Sequence, residues 1–116
     1  MIRKSAEKTF EQKQMFGGRG EAKVFRILEG EQEMYGKGRV FNHIVLDPGC
    51  EVAWHVHNGE GETYYILKGN GLYNDNGVEH SVAAGDVCFV DDGQGHAIYN
   101  DGSEPLEMIA LILFKD

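Results

Sequence analysis

Sixteen glycines among 116 residues, against two prolines, break this chain into short segments rich in Val, Ile, Phe and Tyr. No internal window between them sustains a 3.6-residue apolar period for three helical turns, so the chain is predicted to be all-β. Gly38 to Leu46 (GRVFNHIVL) reads as a strand ending at the turn Asp47-Pro48-Gly49. Cys50 to His57 follows, then the loop Asn58-Gly59-Glu60-Gly61, then a strand from Glu62 to Lys68 that stops at Gly69-Asn70-Gly71. Asn76-Gly77, set between apolar residues, is the dipeptide that a type I′ hairpin turn requires. Gly85 to Val90, Ala97 to Asn100 and Leu106 to Phe114 complete the predicted strands. Short strands at such regular spacing point to an antiparallel barrel or double-sheet jelly roll.

Residues 1–22 read as an N-terminal arm, with a single barrel spanning 23–116. Within the arm, Thr9-x-x-Gln12 has the form of a capping box that would open a short helix, stopped by Gly17, Gly18 and Gly20. Phe10, Met15 and Phe16 need cover, either from the open end of the barrel or from a second subunit, and a homodimer is the expectation.

Charge narrows the partners. A formal charge of −8, a pI near 5.0 and the lack of any Lys/Arg run exclude nucleic acid and anionic membranes. The longest apolar run, Met108 to Phe114, is far too short to span a bilayer, and no basic segment precedes an apolar one near the start; a cytoplasmic location is expected. Cys50 and Cys88, outside any Cys-x-x-Cys pair, are expected to be buried or half-buried free thiols.

The chemistry is concentrated in GCEVAWHVHNGEGETYYILKG, residues 49–69. Alternation along a strand sends His55 and His57 to one face, and Glu62, on the antiparallel strand that follows, can return to it. Two neutral imidazoles and a carboxylate are ligands for Zn, Fe, Mn, Ni or Cu. On these three residues alone, a solvent-facing His-x-His pair beside a surface glutamate is an equal alternative. His96, at the head of a strand in GDVCFVDDGQGHAIYN (residues 85–100), adds a candidate third imidazole.

At this point the chain resembles the cupin superfamily. That family's first motif is Gly, five residues, His-x-His, three or four residues, Glu, six residues and Gly, and Gly49, His55, His57, Glu62 and Gly69 match each position. Its second motif is met by Gly85, Gly93, His96 and Asn100; Asp91 stands where the family usually has Pro, which would loosen the turn that aims His96. The resemblance implies an antiparallel double-stranded β-helix of six to eight strands, with one divalent transition metal ion (Fe, Mn, Zn or Ni) held by His55, His57, Glu62 and His96. It also implies a small-molecule ligand entering from one end.

Two functions remain open at the level of sequence. One is a metal-dependent enzyme of dioxygenase or isomerase/lyase type acting on a small polar organic acid, sugar acid or aromatic compound; the other is a non-catalytic binding or sensor protein with a structural metal. Proton transfer needs a titratable side chain within reach of the ligand, and the candidates are Tyr64, His43 and Glu60. Tyr64 shares the face of Glu62 by alternation. His43 lies on a strand that is apolar on both alternations, and Glu60 lies between the metal-ligand candidates.

Overall fold

The computed structural model describes all 116 residues. Ten strands form two antiparallel sheets that face each other. The larger contains, in spatial order, β1 (Phe10–Lys13), β2 (Ala22–Arg26), β3 (Gly38–Leu46), β10 (Leu106–Phe114), β5 (Glu60–Lys68) and β8 (Val87–Val90). The smaller contains β4 (Glu51–Val56), β9 (Gly95–Tyr99), β6 (Asn70–Asp75) and β7 (Val78–Ala83). Successive strands switch between the sheets, as in a jelly roll, and the core lies between them.

Alternation explains which residues fill it. On β10, Leu106, Met108, Ala110 and Ile112 point inward, and on β5 the same period turns Glu62, Tyr64 and Ile66 toward the interior. The inward row of β5 therefore runs from Glu60 through the metal-ligand candidate Glu62 into the core. Asn76 and Gly77 both have positive φ, 50° and 105°, and join β6 to β7 as the two central residues of a hairpin turn. Gly69, between β5 and β6, combines a φ of 85° with close approach of the Pro105 carbonyl, which leaves no room for a Cβ.

The structure differs from the sequence expectation mainly at the N-terminal side. Thr9-x-x-Gln12 opens no helix: residues Phe10–Lys13 are β1, paired with β2 from Phe10 opposite Phe25 to Lys13 opposite Ala22. A four-residue edge strand satisfies its backbone on a neighbour distant in sequence, which local capping signals do not report. Beyond β1, Met15 bridges to Val52 on β4, and the turn at 16–20 brings Phe16 onto the mouth of the barrel. The strand count is thus ten rather than six to eight, because β1 and β2 widen one sheet beyond the other. Cys50 is half-buried and Cys88 buried, both as free thiols, and burial pushes the Cys88 thiol up to about 11. No helix is long and apolar enough to cross a membrane.

Candidate metal centre

His55 stands on β4, His57 one residue past its end, Glu62 on β5 and His96 on β9. β4 and β9 pair directly, placing His55 opposite His96, whereas β5 belongs to the facing sheet. The cluster is therefore assembled only when the sheets pack together. Nε2 of His96 lies 3.0 Å from Nε2 of His55, 3.2 Å from Nε2 of His57 and 2.9 Å from Oε1 of Glu62. The Glu62 oxygen is also 3.0 Å from Nε2 of His57 and 3.5 Å from that of His55. Ligands bound to one ion at about 2.0–2.2 Å sit about 3 Å from their neighbours, so this spacing fits a shared cation.

The hydrogen bonds behind the rings decide which nitrogen faces inward. Nδ1 of His55 is 2.7 Å from the Ala53 carbonyl, and Nδ1 of His57 is 2.6 Å from Oε2 of Glu60; both partners only accept, so each Nδ1 carries the proton. Nδ1 of His96 is 2.8 Å from the Tyr73 hydroxyl, which can accept its proton in the same way. Three Nε2 lone pairs and a carboxylate oxygen then converge within 4.8 Å of one another, an arrangement that repels itself unless a cation fills the centre. The residues present fit a divalent transition metal.

The site is dry. His57 and Glu62 are almost wholly buried and His96 entirely so. Burial alone would raise the Glu62 carboxyl, but in the metal-free protein, where protons on the imidazole Nε2 atoms take the cation's place, hydrogen bonds from His55, His57 and His96 outweigh it and hold the group far below the usual carboxylate range. The Glu62 hydrogen bond raises His57 above the ordinary imidazole value, against a desolvation that lowers it, with Glu60 adding to the rise. His96 moves the other way because burial disfavours its charged form.

The sign of the His57 shift fixes a pH dependence. A raised folded pKa means that protonated His57 stabilises the metal-free protein fully below about pH 6.5, and that this stabilisation fades as pH rises through the folded value. Metal needs the neutral ring and displaces that proton. The gain in melting temperature from added metal is therefore expected to grow from pH 6 to pH 8; a gain that is constant or shrinks over that range would refute this assignment.

Of the three proton-transfer candidates, the structure leaves one on the cavity. Tyr64 is buried with its ring stacked on His96, centroids 4.9 Å apart, and it lines the cavity above the cluster. Burial and the adjacent Glu62 charge drive its phenol well above the usual value, so it stays a neutral hydroxyl. His43 is a correction: Asn42 and Ile44 take the inward register of β3, so His43 faces out, where its Nε2 is 2.9 Å from Oε1 of Glu107. Glu60 is a second correction. It begins β5 and turns behind His57 instead of toward a ligand, with Arg39 donating to both of its oxygens at 2.7 Å.

Arg39, Glu60 and His57 thus form a relay that holds the ring in its ligating tautomer. Glu60→Gln is expected to weaken metal affinity by about 10- to 100-fold without unfolding the barrel, read by competition with a chromogenic chelator. An unchanged affinity would mean that packing alone orients the ring. Sequence reasoning missed Arg39 and Tyr73, which come from other strands and carry no spacing signal.

The replacement of Pro by Asp91 does not free the turn before His96. Gln94 N donates to Asp91 O at 3.0 Å, while Gly93 N to His57 O at 2.7 Å and His57 N to Gln94 O at 3.0 Å tie the turn to the other ligand strand. Gly95, next to His96, has no space for a Cβ beneath the indole of Trp54.

A two-sheet jelly roll with three imidazoles and one carboxylate converging inside it defines a β-barrel of the cupin type with a candidate metal site. The chain belongs to the cupin domain family, which it matches over residues 42–112. It is 44% identical over 114 residues to the oxalate-binding protein of Thermotoga maritima, covering 97% of this chain and 93% of that one. The crystal structure of a Thermotoga maritima protein described as a predicted oxalate decarboxylase superposes with a TM-score of 0.93 at 43% identity, covering 98% and 99% of the two chains. A more distant relative is the tetracenomycin polyketide synthase protein TcmJ of Streptomyces glaucescens, 33% identical over 67 residues, 58% of this chain and 45% of that protein.

Proposed function

We propose that this cupin binds a small carboxylic acid through a metal held by His55, His57, Glu62 and His96, the acid chelating by its carboxylate and an adjacent oxygen. The observation that carries this reading is the cavity of about 190 Å³ that opens over the cluster. Beyond the candidate ligands His55, His57 and Glu62 its polar groups are Lys13, Arg39, Asn42 and Tyr64: two cations, an amide and a neutral hydroxyl, with no further carboxylate. A divalent ion bound there would add a Lewis acid that holds an anionic oxygen. The chain's own residues complement it: Lys13 and Arg39, paired with Glu11 and Glu60, offer their remaining N–H donors, Asn42 offers an amide, and Val52 and Ile112 add apolar wall.

The similarity to an oxalate-binding protein supports the same class and makes oxalate the first compound to test. Binding is favoured over turnover because His43 and Glu60 are directed away from the cavity and Tyr64, the candidate that lines it, is held as a neutral hydroxyl. Calorimetric titration of oxalate into Mn-, Zn- and Fe-loaded protein is expected to show one site per chain that disappears without metal. Loaded protein that ignores oxalate and glycolate alike would refute the reading, and release of carbon dioxide from oxalate would move it to the enzyme class.

A further inference from the structure

β1 and β2 extend the larger sheet past the edge of the smaller one; Ala22 and Val24 of β2 pack into the core, while Glu11, Lys13 and Arg26 border a cleft beside the mouth of the metal cavity. A second chamber of about 240 Å³ lies there. Lys13, Val24, Arg39, Val40 and Asn42 line both chambers, which makes them neighbours along one cleft. A two-carbon acid with both oxygens on the metal would lie within the first chamber. We infer that the second chamber is a subsite for the hydroxylated tail of a longer ligand, so that the preferred ligand is a 2-hydroxy acid with further hydroxyls along its chain; this rests on the carboxylate-chelating function proposed above.

The walls choose the tail chemistry. Three of the ten lining residues are hydrophobic, which disfavours an alkyl or aromatic tail. The charged ones alternate in sign: Arg26 donates to Glu11 at 3.1 Å and lies 3.8 Å from Glu29, and Lys13 is 3.0 Å from Glu11. A carboxylate tail would meet Glu11 and Glu29, and an ammonium tail would meet Lys13 and Arg26. A hydroxyl both donates and accepts, so it can bond to either wall without disturbing the ion pairs. At the junction, Asn42 lines both chambers, and its side chain takes part in none of the protein's side-chain hydrogen bonds, so its amide is available to a ligand between head and tail.

The test is a calorimetric series on the metal-loaded protein with glycolate, glycerate and threonate, with oxalate and malate alongside and with Arg26→Met and Glu29→Leu measured in parallel. Affinity is expected to rise at least tenfold from glycolate to threonate, and each variant is expected to return threonate to the affinity of glycolate while keeping glycolate affinity and metal content unchanged. If glycolate and oxalate bind but threonate gains nothing, the subsite falls and the chelating function stands. A gain for malate equal to that for threonate overturns the hydroxyl assignment in favour of an anionic tail. A gain that survives both substitutions places the tail elsewhere and overturns the inference. If no acid binds to loaded protein, the function and the subsite fall together.

Discussion

Stripping the metal from the loaded protein is expected to lower its melting temperature by about 15–30 °C. The four ligating atoms come from both sheets, so the site exists only in the folded chain and its binding energy adds to folding energy. At free metal about 1,000-fold above its dissociation constant, linkage contributes roughly 4 kcal/mol, and a domain of this size shifts by about 4–8 °C per kcal/mol. Metal removal also leaves Glu62 buried among three imidazoles, where protons must take over part of the cation's role. Differential scanning calorimetry before and after dialysis against a chelator measures the shift, and readdition of Mn or Zn should restore it. A melting curve unchanged after verified removal would show that metal binding is not coupled to folding through this cluster.

The second large effect lies away from the metal. Asn100 is wholly buried just past β9 and joins two turns. Its amide donates to the carbonyls of Leu46 and Glu104, each at 2.8 Å, and its oxygen accepts from Gly102 N at 2.9 Å. The backbone of the same residue receives Gly49 N and donates to Cys50 O, so the turn leading into the His-x-His strand hangs on it. Asn100→Ala leaves the buried Leu46 carbonyl without its partner and unties the turn at 102–104, and is expected to cost about 3–5 kcal/mol in urea unfolding. Asn100→Asp keeps the shape but cannot donate to two carbonyls, and a comparable loss is expected. A cost under about 1 kcal/mol for the aspartate variant would show that shape alone matters at this position. Metal bound per folded molecule should be unchanged in both.

How far each part was legible in the sequence follows from the range of the physics involved. The strands from Gly38 onward could be read because period-2 alternation and turn chemistry act within a few residues; Gly38–Leu46 and Leu106–Phe114 match the structure residue for residue. The cluster of His55, His57, Glu62 and His96 was legible because the first three residues lie on adjoining segments and the fourth completes a recognisable spacing. β1 was not, since an edge strand is defined by its partner and its own residues also satisfy a helix-capping pattern. His43 could not be oriented because both alternations of its strand are apolar; pairing with β2 and β10 set its register and turned it outward to Glu107.

Glu60 shows the same division at the site itself. Its position between two metal-ligand candidates gave it proximity to the chemistry, but proximity along the chain does not fix direction. Arg39, twenty-one residues earlier, draws the carboxylate behind His57 and makes it a support for the ligand. The sequence by itself determined the β class and the turns, which rest on local backbone preference, and, through its match to the family's motif spacing, the candidate metal-binding set. Only the tertiary structure decided which nitrogens face the centre, which charges line the cleft and how far that cleft extends, because each depends on strands that meet through packing and not through adjacency.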